Sequence, residues 1–200
     1  MKIVLASGNR GKLNEFRALM QPMGFELIAQ NDFGIEAAEE TATTFVENAL
    51  IKARQAGRHS GLPAIADDSG ICVDVLDGAP GIRSARFAGP AATDTENNRK
   101  LLEALRNYEQ PLAFYYCAIV LLRFPEDPTP LIATGTWQGH IVRQPRGNNG
   151  FGYDPYFEIP AKGLTAAELD SVTKNRISHR GQAVRALIEQ IEHQLPARAR

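Results

Sequence analysis

Two cysteines in 200 residues, Cys72 and Cys117, leave no material for a disulfide framework, and neither sits in a CxxC or Cys/His spacing that holds a metal. Both lie in apolar, strand-like runs and read as reduced thiols. Excess charge is missing as well. With 22 Lys+Arg against 23 Asp+Glu the formal net charge is −1, which argues against a protein that binds a nucleic-acid polymer through bulk positive charge. No apolar run is long enough to cross a bilayer. Leu112 to Leu122 contains two tyrosines and stops at Arg123, short of the roughly 20 residues a spanning helix needs. Met1 to Ala6 enters a strand pattern at once, without the charged and then apolar stretches of an export signal. The expectation is a cytoplasmic protein with no membrane partner. Repeats, low-complexity tracts and linker-like breaks are missing too, so a single domain over residues 1–200 is expected.

What is present is an ordinary globular composition, 44% hydrophobic and 22% charged, sufficient for a sizeable core. Charge is unevenly placed. Residues 31 to 80 carry nine acids against three bases, whereas residues 160 to 200 carry seven bases against four acids. Solvated helix faces account for such a split as readily as a site with a cation-binding and an anion-binding wall.

Hydrophobic periodicity predicts a buried strand over Lys2 to Ala6, a polar loop over Ser7 to Gly11 and a helix over Lys12 to Met20 with Leu13 and Phe16 inward. Phe25 to Ala29 reads as a strand. Thr44-Phe45-Val46-Glu47 and Thr93-Asp94-Thr95-Glu96 have capping-box spacing and open two further helices. After Asp67-Asp68-Ser69-Gly70, the alternation of Ile71, Val73 and Val75 predicts another strand. Ala113 to Phe124 and Leu131 to Trp137 read as hairpin arms, Tyr156 to Ile159 as a short strand, and Ala183, Leu187 and Ile191 mark a final helix. Interleaved strands and helices with one long hairpin predict an α/β fold, a mixed sheet flanked by helices.

Four segments carry chemistry. Ser7-Gly8-Asn9-Arg10-Gly11-Lys12 joins a strand to a helix, where unpaired N–H groups and the helix dipole attract anions and a lysine adds a point charge. It is not a Walker A loop, because Ala6 replaces the first glycine and Leu13 the final Ser or Thr. A tight turn with a solvated lysine is the competing reading. Asp67-Asp68 closes an apolar run, and because strand side chains alternate, only one of the two need face a site. A carboxylate there suits Mg²⁺, with Glu39 or Glu40 as a second acid; a turn cap and solvated glutamates are the alternative. Gly150-Phe151-Gly152-Tyr153-Asp154-Pro155 offers Phe151 as a stacking platform or as a plug on a turn. Lys174, Arg176, His179 and Arg180 place cations ahead of the last helix, against its dipole unless an anion or carbonyl compensates.

In this order, SGNRGK (7–12), AEET (38–41), TFVENALIKA (44–53), LPAIADDSG (62–70), GAPGIRSARFAG (78–89), GFGYDP (150–155) and ISHRGQA (177–183) resemble the inosine/xanthosine triphosphate pyrophosphatase family, most closely its bacterial branch. The resemblance spans nearly the whole chain. It implies an elongated mixed α/β fold of two lobes with a central cleft, a homodimer, Mg²⁺ as cofactor, and hydrolysis of non-standard purine nucleoside triphosphates to a monophosphate and pyrophosphate. Carried over by motif, it implies that Ser7, Gly8, Asn9, Arg10, Gly11 and Lys12 bind the triphosphate and that Asp68 is proton acceptor and metal ligand. It further implies that Ser69 contacts substrate, Phe151, Gly152, Tyr153 and Asp154 line the base and sugar pocket, and Lys174, His179 and Arg180 read the base. The resemblance also implies Glu39 or Glu40 near the metal and Lys52 near the phosphates. Asn148-Asn149 departs from the small residues of related sequences. The alternatives are a pyrophosphatase for modified pyrimidine or methylated nucleotides and a nucleotide-binding protein without turnover.

Overall fold

The structure, a computed structural model, describes residues 2–194, apart from the side chains of Arg10 and Met23. Its elements run β1 (Lys2–Leu5), α1 (Arg10–Met20), β2 (Glu26–Ala29), α2 (Phe45–Ser60), β3 (Ala64–Val73), α3 (Asp94–Ala104), β4 (Leu112–Leu122), β5 (Leu131–Ile141), β6 (Phe157–Ile159), β7 (Leu164–Thr165), α4 (Ser171–Ile177) and α5 (His179–Gln194). The strands form one sheet in the order β2-β1-β3-β4-β5-β6-β7. β1 pairs parallel with β2 and β3, while β6 pairs antiparallel with β5 and β7, so the sheet is mixed.

Two compact units divide the chain. The first comprises Met1–Asp68, Cys117–Gly135 and Arg180–Arg200, the second Ser69–Tyr116 and Thr136–His179. In the first unit both faces of the sheet are covered, which is why its strands read as continuous apolar runs. Ile3, Leu5, Ile65, Cys117, Ile119 and Leu121 pack on one face against Phe16 and Met20 of α1 and Leu187 and Ile191 of α5. Their neighbours Val4, Ala6, Ala64, Ala66, Val120 and Leu122 pack on the other against Ala49, Ala53 and Ala56 of α2. The alanines of this stripe, with Leu50 packed beside them, let α2 lie close to the strands. Thr44 caps α2 and Thr93 caps α3, each in a reciprocal capping box with the glutamate three residues on, Glu47 and Glu96.

The second unit is built around Ile71, Leu101, Tyr115, Trp137, Tyr153 and Phe157. Here GAPGIRSARFAG, left without a role by sequence, acts as a bracket. Ser84 Oγ accepts from Ile71 N at 2.9 Å and donates to Gly81 O at 2.6 Å, and Tyr153 OH donates to Ser84 O at 2.8 Å. That bracket crosses β3 so closely that a Cβ on Gly70 would stand 2.3 Å from Gly81 O and 2.4 Å from Ser84 Oγ.

Several boundaries differ from expectation: β5, read to Trp137, runs on to Ile141, and β4, read to Phe124, ends at Leu122. β3 runs unbroken through Asp67-Asp68-Ser69-Gly70 to Val73, so the strand read over Ile71, Val73 and Val75 stops short of Val75, which lies in a 3-10 turn over Asp74–Leu76. α1 starts at Arg10, since the Asn9 side chain accepts from Lys12 N and caps it. Gly70→Ala is expected to lower stability by about 1–3 kcal/mol, the usual cost of overpacking. A urea unfolding curve checks this, and an unchanged midpoint would mean that the bracket yields freely.

Candidate active site

Alternation along β3 sends its two aspartates to opposite faces. Asp67 shares the face of Ile65, where α1 and α5 pack, and Asp68 takes the α2 face of Ala64 and Ala66. Asp67 is 1% exposed. It accepts from Lys12 Nζ at 3.0 Å and from Arg180 Nη2 at 3.2 Å. Arg180, itself buried, also pairs with Glu15 one turn beyond Lys12. Burial alone would raise the Asp67 carboxyl, but Lys12 and Arg180, with Lys52, hold it well below the usual carboxylate range. Asp67 and Glu15 are the anions that compensate a cation at the start of α5.

Asp68 is differently placed. Its Oδ1 accepts from Lys52 Nζ at 2.9 Å and its Oδ2 from Asn48 Nδ2 at 3.3 Å. Lys52 Nζ also gives 2.9 Å to Glu40 Oε1. Burial pushes the Asp68 carboxyl up, Lys52 pulls it back and Glu40 pushes it up again, with a net rise. For Lys52, burial opposes the charge, yet Asp68, Asp67 and Glu40 outweigh it and hold the ammonium above its ordinary value. Asn48 is fully buried, and its Oδ1 accepts from Ala42 N at 3.0 Å, tying the AEET loop to the same point. Glu40 is therefore drawn into this group, while Glu39 is exposed.

Two carboxylates converging on one ammonium form a hard-oxygen donor pair. Mg²⁺ is commonly held by one or two carboxylates with substrate phosphates completing its shell, so Asp68 and Glu40 fit it. No three His, Cys, Asp or Glu side chains gather as an all-protein cage among the described residues. In the loop, Ser7 Oγ accepts from Asn9 N at 3.2 Å, and Gly8 and Asn9 are exposed ahead of the half-buried Gly11 and Lys12. The Arg10 side chain lies outside the described residues. Ser69 is half-buried in β3.

The second unit gathers the remaining candidates. Asp154 Oδ2 accepts from Lys174 Nζ at 2.6 Å and from Phe151 N at 2.9 Å, and Oδ1 from Tyr115 OH at 3.2 Å. Gly150, at φ +77°, must lack a side chain because its Cβ would meet Asp154 Oδ2 at 2.0 Å. Lys174 Nζ stands 5.0 Å from the Phe151 ring centroid, within cation–π range. Gly152 is gripped from α3: its N donates to Asp94 Oδ2 at 2.7 Å and its O accepts from Asn98 Nδ2 at 2.9 Å. His179 lies flat on Tyr115, centroids 4.7 Å apart and planes 9° apart. A cavity of about 370 Å³ opens beside this loop, lined by Asp94, Asn98, Asn149, Phe151 and Tyr156 among others.

The sequence profile described as the Ham1 family matches residues 3–190. The chain belongs to the Ham1 family. Its similarity to named relatives of the family runs nearly the full length. A protein of Shigella flexneri named dITP/XTP pyrophosphatase is 52% identical over 96% of this chain and 98% of its own, and one of Thioalkalivibrio sulfidiphilus with the same name is 55% identical over 96% and 99%. The structure of a HAM1 protein from Coxiella burnetii superposes with a TM-score of 0.90 at 49% identity, covering 96% of this chain and 99% of that one. The mixed α/β sheet expected from sequence is the Ham1 fold.

Sequence reasoning missed Glu15, Asn48, Tyr115 and the α3 pair Asp94 and Asn98. Asn48 alone left a signal, four residues before Lys52 on one helix face. Asp67→Asn would strand Lys12 and Arg180 without their anion, and the expected loss is about 3–5 kcal/mol at neutral pH by urea unfolding. The sign of the pH dependence follows from the depressed carboxyl. Wild-type stabilisation is complete above the unfolded carboxyl value of about 3.9 and fades as pH falls through the lower folded value. The variant should therefore lose less stability than wild type below about pH 4; parallel acid-unfolding curves would contradict the arrangement.

Proposed function

We propose that this Ham1 protein hydrolyses non-standard purine nucleoside triphosphates, dITP, ITP and XTP, to the monophosphate and pyrophosphate. The observation that carries the reading is the unequal state of the paired aspartates. Asp67 is paired at Oδ2 with two cations and depressed, a poor proton acceptor, whereas Asp68 is raised and held by Lys52 and Asn48. A general base works best when its affinity for a proton is raised toward the operating pH. Asp68 orients and deprotonates the water that attacks the α-phosphorus, the bond to the bridging oxygen breaks, and pyrophosphate leaves with the electron pair. Ser7 to Lys12 bind the triphosphate at the start of α1, Lys52 meets the phosphates, and Ser69 contacts the substrate. Mg²⁺, held by Asp68 and Glu40, supplies neutralisation of phosphate charge when bound.

Base reading falls to the second unit. Phe151 supplies a stacking face, Gly152, Tyr153 and Asp154 line the base and sugar pocket, and Lys174 and His179 present polar groups. Arg180 follows in the chain, its guanidinium engaged by Asp67 and Glu15. Lysine offers donors only, so it suits the 6-oxo acceptor of hypoxanthine and xanthine and leaves an adenine amino group unpaired. The reading further takes the protein to be a cytoplasmic homodimer, as the resemblance implies. No helix among the described residues is long and apolar enough to cross a membrane.

Asp68→Asn should cut pyrophosphate release from ITP with Mg²⁺ by about 100-fold or more while nucleotide binding persists. Wild-type-like turnover would overturn the assignment. Lys174→Met should reduce the ratio of kcat/KM for ITP over ATP by about 10-fold or more, since a hydrogen bond from a charged donor is lost. An unaltered ratio would put base reading on other residues.

A further inference from the structure

We infer that Tyr115 is a positioning residue for purine discrimination, its ring carrying His179 and its hydroxyl holding Asp154, through which Lys174 and the Phe151 backbone are fixed. The inference rests on the proposed reading of Lys174 and His179 as base-recognising groups. No motif pointed to Tyr115, which looks from sequence like one more apolar position of a buried strand.

Two contacts at opposite ends of one side chain make the case. At the ring, the parallel offset contact with His179 at 4.7 Å restrains the imidazole plane, and Phe157 meets the same ring edge-on at 4.7 Å. Trp137 lies 5.3 Å from Phe157 and 6.4 Å from His179, so the stack is walled in. At the hydroxyl, the 3.2 Å bond engages Asp154 Oδ1, the carboxylate oxygen that Lys174 and Phe151 N leave to it, because both of those donate to Oδ2. A carboxylate gripped at one oxygen can pivot about its χ2 bond; gripped at both it cannot. Burial, reinforced by Asp154, holds the Tyr115 phenol well above its ordinary value, so the hydroxyl stays protonated and donating through the neutral range. The contacts of Tyr115 run to His179 and Asp154, which assigns it to orientation.

Loss of the hydroxyl lets Asp154 turn and Lys174 follow. A lysine that wanders gives up part of its bond to a 6-oxo purine and no longer penalises a 6-amino purine as strictly. Tyr115→Phe keeps the ring and removes only the oxygen. It should lower the ratio of kcat/KM for ITP over ATP by about fivefold, the worth of one hydrogen bond, through KM for ITP more than through kcat. Phe157→Leu serves as the structural control, since the Phe157 ring packs on Tyr115 whereas the bond of Phe157 to Asp154 runs from its backbone N–H to the backbone oxygen and survives the substitution. It should lower the melting temperature more than Tyr115→Phe does and leave the ratio within about twofold of wild type. An ITP/ATP ratio unchanged in Tyr115→Phe, or one that falls equally in Phe157→Leu, overturns the inference. The proposed function fails separately: wild-type enzyme without preference for ITP over ATP would defeat that reading before any variant is compared.

Discussion

The buried charge of Asp67 is the constraint on which the rest of the site depends. A carboxylate removed from water costs several kcal/mol unless cations and hydrogen bonds replace its solvation. Here the cations come from two distant stretches of chain, Lys12 at the start of α1 and Arg180 at the start of α5, which meet Asp67 on β3. Satisfying one charge thereby ties the first turn of two helices to the middle of the sheet. It also turns a basic helix start, unfavourable for the dipole, into a neutral one. Pairing of this kind is weak evidence for stability but strong evidence for geometry, because a mis-set helix would leave an ion without a partner.

Strand alternation then does for chemistry what ion pairing does for architecture. With Asp67 spent on one face, Asp68 emerges on the other beside α2, where Lys52 and Asn48 meet it from one helical face four residues apart. The alanines at 49, 53 and 56 set how near α2 comes to the sheet, and hence how far Lys52 has to reach. The second unit repeats the device with a different anion, Asp154, on which a cation, a phenol and a backbone amide converge.

Local signals in the sequence were reliable where the cause was local. Both capping boxes, the α5 stripe of Ala183, Leu187 and Ile191, and the glycine loop before Phe151 form as their spacing predicts. The DDSG stretch left a turn cap open as an alternative because polar residues and glycine resemble one; the Ser84 bracket and the cations at Asp67 hold it in the strand. Glu15 and Tyr115 were illegible for a deeper reason. Each acts through a partner far along the chain, Arg180 for one and Asp154 and His179 for the other, and no periodicity encodes such a meeting. Asn98 and Asp94 likewise read as the polar face of a capped helix until Gly152 is seen between them.

His179 and Arg180 are neighbours in sequence yet serve different units, one lying on an aromatic ring and the other closing an ion-pair group. Successive helical residues point about 100° apart, so this single peptide step distributes two side chains to two duties. Adding or removing one residue near Ser178 would consequently rotate both groups off target together.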